Sequence, residues 1–133
     1  MKFIDKLKFD DNGLIPVVVQ DNKDCKVLMV AWMNRDSIIR SMKTGKTCFW
    51  SRSRKTFWVK GEESGNFQLI REVRFDCDAD TLLIKVRQVG DAACHKGFRS
   101  CFHTMVDKNG NYKVVGKRVF SPGKVYSQKR RKK

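Results

Sequence analysis

Between residues 14 and 115 the sequence is cut into short apolar runs separated by turn signals, and only one stretch carries a helical period. That punctuation limits the chain to a mainly β domain, because runs of this length are too short for core helices. DDNG (10–13) precedes the apolar run 14–19, and DNKD (21–24) separates it from a second run at 26–33, so the two are expected to form a hairpin. Asn34 is a good helix N-cap, Asp36 suits the positive end of the helix dipole and Gly45 suits the stop. Ile38, Ile39 and Met42 should lie on one face of that helix. Residues 47–50 and 56–60 read as short strands around SRSRK (51–55), and KGEESGN (60–66) reads as a polar loop. Residues 67–80 look extended, residues 82–89 continue as an apolar strand, and DKNGN (107–111) turns a hairpin between 105–106 and 112–115. The sum is a mainly β (α+β) domain with one main helix, spanning 1–126, followed by a basic tail at 127–133 expected to be mobile.

Charge narrows the partners. The net charge of +15 calls for an anion: nucleic acid, acidic lipid or a phosphorylated small molecule. KRRKK (129–133) supplies five of the positive charges, and basic residues remain elsewhere. No apolar run reaches the roughly 18 residues of a membrane span, and the N-terminus lacks a signal-peptide core. We therefore expect a cytoplasmic protein. Five cysteines, an odd number without a secretory signal, argue against a disulfide framework and leave thiols free to bind metal. Cys25 and Cys48 sit in apolar patterns and read as core thiols.

The chemistry concentrates in three segments. In DCDAD (76–80), strand alternation would put Asp76, Asp78 and Asp80 on one face and Cys77 on the other. Three clustered carboxylates need a compensating cation, and hard oxygen donors suit Mg²⁺. The bland alternative is a solvated acidic turn beside Arg71 and Arg74. In CHKGFRSC (94–101), Cys94 and Cys101 offer soft donors to Zn²⁺, and Cys77 is the natural third. Three thiolates with one open position describe a catalytic zinc. His95 is open to three roles: ligand, acid–base group or packing residue. Opposite facing of Cys77 and the aspartates implies two neighbouring sites of different chemistry. In SRSRKTFW (51–58), Arg52, Arg54 and Lys55 lie beside Trp50, Phe57 and Trp58, a combination suited to phosphates carrying a base, or else to a charged rim over core aromatics. Lys60, Glu62 and Ser64 add a loop able to hold a phosphate.

Four stretches together resemble the phosphoribosyl-AMP cyclohydrolase family: MVAWMN (29–34), FWSRSR (49–54) continuing to WVKGEESG (58–65), DCDADTLL (76–83) and ACHKGFRSCF (93–102). Small departures from the family pattern are Phe49-Trp50 in place of a tyrosine pair, His103-Thr104 in place of an aromatic and arginine, and an extra residue near Asp91. The resemblance implies a cytosolic enzyme of the third step of histidine biosynthesis. It implies a pseudobarrel of antiparallel strands capped by one helix, in an intertwined homodimer. Zinc, one per subunit, would be held by Cys77 of one chain with Cys94 and Cys101 of the other, and Mg²⁺ by Asp76, Asp78 and Asp80. A zinc-activated water would open the purine ring of 1-(5-phosphoribosyl)-AMP at the N1–C6 bond. His95 would move the proton, and Ser51, Arg52, Arg54, Trp58, Lys60, Glu62 and Ser64 would contact substrate. No nucleic-acid or membrane partner is expected. A zinc-dependent nucleic-acid module is the rival from another class, and it lacks C-x-x-C knuckles. A zinc nucleobase deaminase is the enzyme rival, and its H-x-E…P-C-x-x-C signature is absent.

Overall fold

A computed structural model of the chain describes residues 1–119. The expected tail at 127–133 lies outside the described residues. A short 3₁₀ turn at Lys2–Lys6 precedes β1 (Ile15–Asp21) and β2 (Val27–Met33), which pair antiparallel as a hairpin. Helix α1 (Arg35–Thr44) follows, then β3 (Cys48–Ser51), β4 (Thr56–Val59), β5 (Gln68–Phe75) and β6 (Leu82–Gln88). The described part ends with β7 (Thr104–Val106) and β8 (Tyr112–Val114).

Strands β2, β1, β6 and β5 form one four-stranded sheet in that order. β3–β4 and β7–β8 are separate two-stranded ribbons. The expected pseudobarrel of antiparallel strands is therefore corrected on two counts. The main sheet is open, and β1 pairs with β6 in parallel, Val17 opposite Leu82 through Asp21 opposite Val86. The cause is a crossover. The chain leaves the sheet after β2 through α1 and the β3–β4 ribbon, returns as the edge strand β5, and turns back beside β1 as β6. Parallel neighbours need such a long connection, and no local pattern marks it.

One sheet face carries the core. Alternate residues Ile15, Val17 and Val19 of β1 and Leu82, Ile84 and Val86 of β6 are fully or almost fully buried. They pack with Leu28, Met33, Ile38 and Phe49. The strict alternation along β1 and β6 is that of strands with one face against a core.

The helix forms where expected. The side-chain oxygen of Asn34 accepts from the Ser37 amide at 2.8 Å while the Ser37 hydroxyl accepts from the Asn34 amide at 2.8 Å, which closes a capping box. Gly45 ends the helix in the left-handed region, where a side chain is disfavoured. The buried face differs from the expected one. Ile38 is buried, but so are Ser37 and Ser41, whereas Met42 is exposed. Ser41 fits because its hydroxyl donates within 2.8 Å to the Ser37 carbonyl and accepts from the Cys48 amide at 2.8 Å. That bond ties the helix to β3.

Of the two thiols read as core, Cys48 is buried, and burial pushes its pKa up. Cys25 is exposed, at positive φ in the turn between β1 and β2. Turn geometry, which an apolar pattern does not report, decides its placement.

Candidate active site

Residues 76–80 are a turn, not the end of a strand: β5 stops at Phe75. Ala79 sits at positive φ, its amide donates to the Asp76 carbonyl, and one Asp76 carboxylate oxygen accepts from the Asp80 and Thr81 amides at 3.0 and 3.2 Å. The expected convergence of the three aspartates holds, although the turn and not strand alternation produces it. Their carboxylate oxygens lie within 4.8 Å of one another, and all three residues are exposed. Asp78's hydrogen bond to Asp80, followed by burial and the charge of Asp76, pushes the Asp80 pKa up. For Asp76, desolvation raises the pKa, but the amides of Asp80 and Thr81 and the side-chain bonds outweigh it and the net shift is down. The cluster thus resists carrying three full charges unaided. A hard divalent cation relieves that repulsion, and the all-oxygen donor set fits one.

Cys94 and Cys101 face each other across a tight loop. The Cys94 amide donates to the Phe98 carbonyl at 3.1 Å, and the Gly97 amide to the Cys94 carbonyl at 2.9 Å. The Lys96 amide points at the Cys94 sulfur, 3.4 Å away. The Cys101 amide donates to the Leu28 carbonyl at 2.7 Å, which moors the loop to β2. Arg99 fixes it from the other side, bonding Asp24 at 2.8 Å and Asp21 at 3.3 Å. The Arg99 guanidinium holds the exposed Asp24 carboxyl down at about 2. Desolvation of its sulfur, with Cys94 beside it, pushes the Cys101 thiol up to about 11, and Lys60 opposes that shift. The Cys101 thiol therefore keeps its proton near neutral pH unless a metal displaces it. The paired sulfurs are soft donors suited to a cation such as zinc, and the inward Lys96 amide and the nearby Lys60 ammonium offset negative charge on them.

Cys77 is not beside this pair within one chain. It is exposed in the turn that leads into β6, whereas Cys94 follows the other end of β6. The seven residues of that strand extend on the order of 20 Å. Among the described residues, the three aspartates are the only such cluster of potential ligands that one chain assembles.

A cleft of about 540 Å³ adjoins the cysteine pair. Ser51, Arg54, Trp58, Lys60, Glu62, Ser64 and His95 all line it. Arg52 does not. Its guanidinium lies over the Trp32 ring, 4.4 Å from the centroid. His95 is exposed beside the cleft. Lys60 connects cleft and thiols: burial lowers its pKa, and the neighbouring Cys101 and Cys94 work to raise it.

The cleft loop is held by groups that sequence reading missed. Gln68 and Gln88 are buried and bond each other at 2.8 Å. Thr47 donates to Gln68 at 2.9 Å, and Gln88 reaches the Asn66 carbonyl at 2.9 Å. A Gln at a core-facing strand position is the one local signal, since such a group is kept only if bonded. Gly61 is also required. Its φ is +97°, and a Cβ there would overlap the backbone nitrogen of Phe67. Gly61→Ala is expected to cost about 2 kcal/mol or more and to distort the Lys60 loop. A thermal melt and substrate KM read the two effects; an unchanged melt would contradict the packing argument.

Asp91, where the extra residue was placed, sits at positive φ beside Gly90, also at positive φ, in a short turn after β6. The addition therefore falls in a turn.

Comparison with known proteins gives one consistent result. The family model described as phosphoribosyl-AMP cyclohydrolase matches residues 29–103. The chain is 52% identical over 126 residues to the phosphoribosyl-AMP cyclohydrolase of Pelotomaculum thermopropionicum, covering 95% of this chain and 97% of that protein. It is 49% identical over 127 residues to the enzyme of that name from Chlorobium phaeovibrioides, covering 96% and 92%. A histidine biosynthesis bifunctional protein of Nostoc sp. is 49% identical over 125 residues, which is 94% of this chain but 54% of that longer protein.

Proposed function

The chain belongs to the phosphoribosyl-AMP cyclohydrolase family, and from that premise we propose that it is the hydrolase that opens the purine ring of 1-(5-phosphoribosyl)-AMP at the N1–C6 bond, in the third step of histidine biosynthesis. The observation that carries this reading is the cleft beside the cysteine pair. It combines cations for phosphate, an aromatic face for the base and a histidine next to a soft-metal donor set.

Each residue has a role in this reading. Cys94 and Cys101 of one chain, with Cys77 of a second, hold zinc, so the enzyme is a homodimer with one zinc per subunit. Zinc, when bound, supplies a Lewis acid and a water activated near neutral pH. Asp76, Asp78 and Asp80 hold Mg²⁺, which offsets substrate phosphate charge. Arg54 and Lys60 bind phosphate, and Ser51 and Ser64 add hydroxyl donors. Trp58 offers a ring face to the base, and Glu62 is placed to accept from a ribose hydroxyl. Arg52 supports the cleft wall through Trp32, which is a more modest role than direct contact. His95 accepts a proton during attack at C6 and returns it to N1 as the ring opens. This reading carries a cytoplasmic location, supported by the odd cysteine count and the nucleotide substrate.

The test is product analysis with phosphoribosyl-AMP. Ring opening without ammonia is expected. Release of ammonia with the ring intact would show deamination and refute the proposal. A second measurement addresses the aspartate cluster. Removing Mg²⁺ with a weak chelator should slow turnover while zinc remains bound, and an unchanged rate would remove Mg²⁺ from the scheme.

A further inference from the structure

The basic surplus outside the C-terminal tail is not used up by the cleft beside the cysteine pair. Part of it converges elsewhere. Lys23, Arg71 and Arg87 line a second cleft of about 470 Å³, between the β1–β2 turn and the end of β6. This cleft shares no lining residue with the first.

Local structure brings the three cations together. Arg87 stands opposite Leu69 in the β5–β6 ladder, and the register slips between Ile70 and Glu72, so Arg71 is the extra residue of a bulge. Alternation puts Arg71 on the Leu69 side, hence beside Arg87, and a bulge frees such a residue to be re-aimed. Lys23 comes from the β1–β2 turn, where its amide donates to the Asp21 carboxylate at 2.7 Å. The far wall is rigid. The Val89 amide donates to the Phe67 carbonyl at 2.8 Å, and the Gln88 side chain donates to the Asn66 carbonyl at 2.9 Å.

The charges do not cancel within the cleft. All three cations are exposed, and among the described residues none of them makes an ion pair. Asp21 also lines the cleft, but it is buried and bonded to Arg99 at 3.3 Å. Asp91 is the other carboxylate of the lining, so two guanidiniums and an ammonium face a single uncommitted acid. Like charges gathered on a concave wall repel, and an anion relieves that repulsion. Guanidinium forks match the oxygens of a phosphate group bidentately, and a lysine adds a point charge.

We propose that Lys23, Arg71 and Arg87 form a second anion site, which takes the phosphate group of a small molecule. The proposal stands apart from the ring-opening reading, because phosphate binding is read without turnover.

Inorganic phosphate titrated into the metal-loaded full chain, at ionic strength held constant with chloride and followed by amide NMR, tests it. Residues 22, 23, 71 and 87–91 should shift together and saturate. Arg71→Ala with Arg87→Ala should weaken that response by about tenfold or more. Both positions are exposed, so the fold should stand, as circular dichroism can verify, and the corresponding Gln pair should give the same loss while keeping most of each stem. Arg54→Ala, in the first cleft, should leave the response intact. Shifts confined to the first cleft or to the metal-ligand segments, equal shifts with chloride alone, or an unchanged response in the double variants would overturn the site. Where the response is present, kinetics identify the source of the phosphate. A raised KM at unchanged kcat in the double variant assigns it to the substrate, and unchanged constants assign it to a separate phosphorylated molecule.

Discussion

Cys101→Ala is expected to lose its zinc and, with it, ring-opening activity by on the order of a thousandfold or more, which corresponds to about 4 kcal/mol of transition-state stabilisation. The expectation follows from the donor count. A catalytic zinc with three protein ligands has none to spare, and losing one leaves too weak a site at the metal concentrations of a purified enzyme. The thiol environment makes the same point. Cys101 stands at about 11, raised by desolvation and by Cys94, so without zinc its thiol stays protonated. The fold should be spared, because Cys101 is exposed and its mooring to Leu28 runs through the backbone amide. Metal analysis, turnover and circular dichroism on one sample separate these effects. A variant that keeps full ring-opening activity without zinc would rule out zinc chemistry.

Mixing two inactive variants is expected to restore activity. Cys77→Ala breaks the site at one end of β6, and Cys101→Ala breaks it at the other. If each zinc is held across two chains, a mixed dimer has one site with both lesions and one with none. Equal amounts, unfolded and refolded together, should give about half mixed dimers and hence about a quarter of wild-type activity and zinc content. The observation behind this is the length of β6, which keeps Cys77 on the order of 20 Å of strand away from Cys94 in the same chain. Were the three cysteines of one chain to meet, no mixture would recover anything. A flat result across all mixing ratios, with both variants folded, would exclude the shared site.

The helix and the β1–β2 hairpin were legible because local chemistry decides them. Asn34 and Gly45 bracket the helix by satisfying or ending its hydrogen bonds, and alternation along residues 15–19 reports a strand with one buried face. The buried Ser41 and exposed Met42 were not legible, since the choice depended on what β3 presented to the helix. The buried Gln68–Gln88 pair was missed for the same reason: each side chain is tolerable only because the other is there.

The candidate ligands were readable from sequence because metals select side-chain type, and Cys94, Cys101 and the three aspartates carry their donor chemistry wherever they are placed. The aspartate grouping was readable too, but the backbone that produces it was not. That residues 76–80 form a turn, that β6 lies parallel to β1 in an open sheet, and that Cys77 lies at the opposite end of β6 from Cys94 of its own chain are results of pairing between distant segments. Sequence by itself determined which groups can do chemistry and which short elements they sit on, through local hydrogen bonding and apolar period. Only the tertiary structure decided which of those groups meet, because a strand carries no mark of the neighbour it will pair with until the whole sheet has closed over its core.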